Sequence, residues 1–108
     1  MPSQFVNANA ALTTTEATVF TADAAGLRSA IVHGLYVSNT SDLTGTVVTL
    51  KVYDSSAGTS REILHKVPIA PNSTLVLEKP INLEPNDELR AFSSNIYCNA
   101  FASILLIS

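Results

Sequence analysis

The sequence predicts an all-β chain folded as an antiparallel β-sandwich of about seven to eight strands, with jelly-roll and immunoglobulin-like topologies both open. Three observations predict it. Apolar and polar residues alternate with period two in segment after segment, and those segments are rich in Val, Ile, Thr and Tyr. Turn signals ("DAAG", "NTSDLTG", "DSSAG", "APNS", "EPND") punctuate them at short spacing. No segment of ten or more residues carries helical periodicity. Short antiparallel strands separated by frequent turns bury their apolar faces by stacking two sheets.

Residues 1–15 are small and polar, with Phe5, Val6 and Leu12 as isolated apolar positions. They read as an extended N-terminal arm that anchors on a partner, ahead of a sandwich domain over 16–108; a frayed terminus is the alternative. The first strand is "ATVFTA". In "SAIVHGLYVSN", strict alternation sets Ile31, His33, Leu35 and Val37 against Val32, Gly34, Tyr36 and Ser38. "GTVVTLKVYD" groups Val48, Leu50 and Val52, opposite Val47, Thr49, Lys51 and Tyr53. "SREILHKVPI" sets Ile63, His65 and Val67 against Leu64 and Lys66. "STLVLEKP" and "ELRAFSS" follow, and "YCNAFASILLI" closes with Cys98, Ala100, Ala102, Ile104 and Leu106 on one side.

Between the last of these segments lies a corner, "KPINLEPNDEL". Pro80 and Pro85 cannot donate to a strand ladder, so they bracket a change of direction. Asn86 and Asp87 bond their own backbone and tolerate turn geometry. Leu83 then plugs one end of the core, and the chain crosses here from one sheet to the other.

Composition sets the function classes. The chain has 108 residues, a length for one domain with one core. Apolar residues make up 46%, against disorder, and charged residues only 14%. Ser, Thr and Asn finish the surface instead, which suits a protein packed against its neighbours. The net charge is −3, and the six basic residues (Arg28, Lys51, Arg61, Lys66, Lys79, Arg90) never adjoin. Nucleic-acid binding needs a basic stripe and a membrane surface needs a polybasic patch, so neither partner is expected. Cys98 is the single cysteine and reads as a buried small hydrophobe. The N-terminus has neither a basic start nor an apolar stretch, and "ILLIS" is too short to span a bilayer, so synthesis and folding in a reducing cytoplasm are expected.

Motifs for chemistry are sparse. His33 and His65 fall beside Ile and Val on alternating segments and lack a third ligand at metal spacing. "DLTG" at Asp42 echoes a loop of aspartic proteases, which need two carboxylates sharing a proton. Asn39 and Asn72 fit the glycosylation pattern and read here as turn residues. No catalytic residue, cofactor or metal ligand is assigned. The aromatics Tyr36, Tyr53, Phe92, Tyr97 and Phe101 fit either a sugar-stacking platform or the core and interfaces between subunits; the absence of tryptophan favours the second.

One resemblance adds to this. The runs "ATVFTADAAGLRSAIVHGLYVSNTSD" and "VTLKVYDSSAGTSREILHKVPIAPNSTLVLEKPINLEPNDELRA" resemble small virion proteins of tailed bacteriophages, chiefly in the order of the pieces and the paired-proline corner after the Ser-Thr strand. The resemblance implies a β-sandwich on the particle, most often a head decoration or cement protein, and no catalytic residues. The expectation is therefore a capsid decoration protein on the capsid surface, binding the major capsid protein and itself. The expected self-assembly is a homotrimer on local threefold axes, with Phe5, Val6, Leu12, Tyr36, Tyr53 and Phe92 as partner-binding residues. A neck, tail or fibre-base component and a carbohydrate-binding attachment module are the alternatives.

Overall fold

Nine strands account for most of residues 4–22 and 29–107, the parts of the chain that the computed structural model describes. They are β1 (Gln4–Ala11), β2 (Ala17–Thr21), β3 (Ser29–Asn39), β4 (Thr46–Asp54), β5 (Thr59–Ile69), β6 (Thr74–Leu77), β7 (Ile81–Leu83), β8 (Glu88–Ser93) and β9 (Cys98–Ile107). The "DAAG" turn lies outside the described residues. Every strand pairing is antiparallel.

The strands form two sheets. One has the order β1-β9-β3-β6, with β7 also on β3; the other has the order β2-β8-β4-β5. β6 pairs with Leu35–Ser38 and β7 with Ala30–Val32, so the two share one lane beside β3. Counted that way there are eight lanes, and consecutive lanes alternate between the sheets except for β4 and β5, which form a hairpin within one sheet. This is a jelly roll and not an immunoglobulin-like sandwich.

The inner faces meet through Leu12, Val19, Val32, Leu35, Val37, Val48, Leu50, Ile69, Leu83, Leu89 and Ile104, with Cys98 and several alanines between them. β9 follows its alternation without a break: Cys98, Ala100, Ala102 and Ile104 are all buried. The small side chains of β9 let the sheets approach closely, and each large side chain removed from water contributes about 1.5–3 kcal/mol.

Strict alternation fails in two strands, each time at a bulge. In β3 the pairing with β9 slips between Val32 and Gly34. Ala30 and Val32 face inward before the slip, and Leu35, Val37 and Asn39 after it. Ile31 and His33 therefore do not share a face with Leu35 and Val37, because one extra residue in a period-two pattern exchanges the faces beyond it. In β5, Lys66 takes φ 50° and the register against β4 shifts. Leu64 stands opposite Leu50 and Val67 opposite Val48, both buried partners, while Ile63 and His65 are exposed.

The expected N-terminal arm is corrected more fundamentally. Over its described residues it is an integral strand: β1 pairs with β9 residue for residue, from Gln4 opposite Leu106 to Ala11 opposite Asn99. Val6, Ala8 and Ala10 pack toward the core, Leu12 is 0% exposed, and the Leu12 N–H donates to the Cys98 carbonyl at 2.8 Å. Short alanine and asparagine side chains hide the pattern in the sequence, and β9 supplies the ladder that makes the segment a strand. Removing residues 1–15 would strip an edge strand and a core leucine, so it is no neutral truncation.

The corner is a sheet crossing, with β7 in one sheet and β8 in the other. Asn86 adopts φ 74°, the left-handed conformation that Asn tolerates. The Asp87 carboxylate is buried. Its Oδ2 accepts the Glu84 N–H (2.9 Å), and its Oδ1 accepts the N–H and hydroxyl of Ser55 (2.9 and 3.0 Å). One side chain thus ties the β7–β8 turn to the β4–β5 turn, and Leu83 is buried beneath. At the opposite end Asn39 does the same. Its amide donates toward the carbonyls of Thr44, Ile69 and Ala70 at 2.8–3.3 Å, and its oxygen accepts the Ser41 N–H.

Candidate interaction surface

The strands of the β1-β9-β3-β6/β7 sheet contain no Asp, Glu, Lys or Arg. Every charged strand residue belongs to the other sheet, on β4, β5 or β8. The pairing registers lay out the uncharged sheet's outer face in rows. One row runs Asn9, Phe101, Tyr36, Val76; another runs Phe5, Leu105, Ile31, Asn82. Phe5 is 75% exposed and meets the His33 ring edge-on, with centroids 5.8 Å apart. Tyr36 (42% exposed) and Phe101 (41%) lie side by side with centroids 6.5 Å apart, and Val76 and Ile107 are also open to solvent. An apolar aromatic row on a sheet without charged residues has the composition of an interface core, where charge is depleted and aromatics are enriched.

The outer face of the other sheet is built differently. Lys51 Nζ lies 2.9 Å from Glu16, and Arg90 bridges Glu88 (3.0 Å) and Glu16 (3.7 Å). The guanidinium stacks over Tyr53 at 4.5 Å and Lys51 lies 5.7 Å from the Phe92 ring. The Arg90 hydrogen bond holds the Glu88 carboxyl below its ordinary range, and Glu88 in turn raises Arg90. An open apolar cavity of about 430 Å³ flanks Phe92, lined also by Val47, Thr49, Thr14, Ser94 and Lys66.

The six expected partner-binding residues therefore divide. Phe5 and Tyr36 share the uncharged face. Tyr53 and Phe92 lie half-buried on the other sheet, each with a cation of that sheet over its ring, and Phe92 borders the open cavity. Val6 points inward, and Leu12 is in the core and out of reach of any partner in the folded state. Sequence reasoning weighed Phe101 among the aromatics without assigning it to the partner surface, and left Val76 and Ile107 out altogether. The signal was present, because the charged residues are confined to a subset of the strand segments. Joining the uncharged segments into one sheet required the topology.

The remaining candidates for chemistry lie apart. His33 is on the uncharged sheet, whereas His65 is on β5 with its Nδ1 2.7 Å from Glu62 Oε1. Cys98 is buried, and burial pushes its thiol up from the ordinary value. Carboxylate oxygens of Asp54, Glu84 and Asp87 gather within 4.8 Å of one another. Asp87 is held by Ser55 and the Glu84 backbone as above. Asp54 accepts hydrogen bonds from the Ser56 side chain and from the Ser56 and Ala57 backbone, which lower its pKa. Asn39 is not in a turn but ends β3 opposite Cys98, with its buried amide tied into the adjoining loops. No helix among the described residues is long and apolar enough to cross a membrane.

The fold defines the class: an eight-lane jelly roll with one charged and one uncharged outer face. No protein-family model matches the chain, and no curated protein does. Solved structures do. A chain of the infectious bursal disease virus particle is similar at TM-score 0.57 and 15% identity, over 98% of this chain and 31% of that one. A chain of the capsid of the Helicobacter pylori bacteriophage KHP30 is similar at TM-score 0.58 and 11% identity, over 98% of this chain and 87% of that one. A chain of the Bacillus endospore appendages, which are disulfide-linked pili, is similar at TM-score 0.56 and 12% identity, over 98% and 86%. This chain thus spans about a third of the infectious bursal disease virus protein and most of the other two. At these identities the likeness is one of fold.

Proposed function

We propose that this chain is a structural protein of a bacteriophage particle, a decoration or cement protein on the capsid surface that binds the major capsid protein through the outer face of its uncharged sheet. One observation carries the reading: a whole sheet without a charged residue presents Phe5, Tyr36, Val76 and Phe101 to solvent. Support comes from the fold, which is shared over nearly the full length of a similarly sized chain of a phage capsid, and from the resemblance in sequence to small virion proteins. A face of this kind offers on the order of 800 Å² to a partner, the size of a standard interface. Repeated around a symmetry axis, as in the trimer on local threefold axes proposed with it, modest contacts add through avidity.

The test is binding of the purified chain to undecorated particles, with its position and copy number read by electron cryomicroscopy. Copies spread over the whole shell are expected, and Tyr36→Asp with Phe101→Asp should weaken binding on the order of a hundredfold by burying charge at the interface. Density confined to a single vertex would move the protein to the neck or tail. Unchanged affinity of the double variant would reject the assigned face. The endospore-appendage likeness favours a second reading, a filament subunit, which predicts fibres from the isolated chain instead of occupancy on particles.

A further inference from the structure

A sandwich has four edge lanes, and each exposes unpaired backbone N–H and C=O groups that can template another strand. Three of the four are blunted here. β5 carries two register shifts, the charges of Arg61, Glu62 and Lys66, and Pro68. The β6/β7 lane is broken by Glu78, Lys79 and Pro80. β2 has five residues and a register shift between Thr18 and Phe20. β1 has none of these devices. Its eight residues, QFVNANAA, include no charge, no proline and no glycine, and its ladder with β9 runs without a shift. Among the described residues its outer edge is unpaired.

We propose that β1 pairs antiparallel with β1 of a second copy, so that two uncharged sheets join into one continuous sheet across a two-fold axis. The occupant follows from β1 itself. Antiparallel pairing of a strand with its own copy satisfies a closed two-fold contact, in which both partners use the same patch. In every register the opposed residues are Gln, Phe, Val, Asn or Ala, so no like charges meet and none is left without a counter-charge. A charged strand would find no counter-charge anywhere on β1. Among the described strands β1 is the one that is long, uncharged and free along an edge. The new strand would also cover Val6, Ala8 and Ala10, which are only partly buried at the margin of the sandwich. The axis is normal to the sheet, so both outer faces point the same way and the Phe5–Tyr36–Phe101 surface doubles in width. The inference concerns the isolated chain and does not rest on the capsid reading. A two-fold contact adds to a threefold grouping, since on a closed shell it would join one trimer to the next.

The experiment is sedimentation of the full chain over a concentration series, with hydrogen exchange on β1. Even-numbered species are expected, and the amides of residues 4–11 that point away from β9 should gain protection as concentration rises. Asn7→Lys with Asn9→Lys places cations on exposed side chains of β1 and should weaken association at least tenfold, with circular dichroism and melting unchanged; Asn82→Lys, on the far lane of the same face, should leave it intact. Should the double variant unfold, Asn9→Lys alone and the wild-type exchange data decide. A wild-type chain found only as monomer or trimer at every concentration overturns the proposal, as does a dimer whose outward-pointing β1 amides stay unprotected. Protection of β1 that arises only on adding particles would mean that an outside strand occupies the edge, and it overturns self-pairing while leaving the capsid reading in place.

Discussion

Replacing Asp87 with alanine removes the acceptor of three hydrogen bonds where the chain changes sheets. The donors are the Ser55 N–H, the Ser55 hydroxyl and the Glu84 N–H, at 2.9, 3.0 and 2.9 Å. The hydroxyl keeps the Pro85 carbonyl as an alternative acceptor at 3.2 Å, so two backbone N–H groups lose their partner outright. A hydrogen bond to a charged acceptor contributes roughly 1.5–3 kcal/mol net, and both donors are only part-buried, so the lower end applies. The expected loss is about 3 kcal/mol, a large share of the roughly 5–15 kcal/mol that stabilises a domain. At this chain length it lowers Tm by roughly 15 °C. Asp87→Asn keeps an oxygen for Ser55 and sets an NH2 against the Glu84 N–H, so about half the loss is expected. Urea melts read it directly: the midpoint falls and the slope is unchanged, because the folded and unfolded surfaces are unaltered. A midpoint shift for Asp87→Ala worth under about 0.5 kcal/mol, the level of an ordinary surface substitution, would refute the view that this carboxylate holds the crossing.

Acid should expose the two depressed carboxyls. Glu88, held down first by its hydrogen bond to Arg90, and Asp54, held down first by Ser56, lie below the ordinary values of 4.5 and 3.8. A depressed carboxyl stabilises the fold above its unfolded pKa and loses that contribution as pH falls through the folded value. The urea midpoint should therefore be flat from neutrality to about pH 5 and decline below it, with a shallower decline in Glu88→Gln; equal acid limbs for wild type and variant would contradict the assignment. The Cys98 thiol, 0% exposed and pushed up by burial, should react with a disulfide reagent only at the rate of unfolding, and labelling at the rate of a free thiol would show that the core is open there.

How much was legible depended on how local the cause was. Alternation of side chains and the chemistry of turn residues act within a few positions, so the all-β class, the inward set of β9, the buried Leu83 and the Pro80–Pro85 crossing could all be read from the sequence. The face exchange in β3 could not, because the slip at His33 is defined only against β9. Nor could the character of residues 4–11. Asn and Ala favour strands weakly, and this segment becomes one through its continuous pairing with the C-terminal strand, at the far end of the chain.

The sequence by itself determined what each segment is: a strand with one apolar side, or a turn. Tertiary structure alone decided which strands lie together, and with that which side chains share a surface. Phe5, Tyr36, Val76 and Phe101 come from four separate segments, each free of charge, but nothing local says that those segments lie side by side. They meet because hydrogen-bonded pairing sets lanes and registers over long separations, and the same pairing leaves β1 with an open edge.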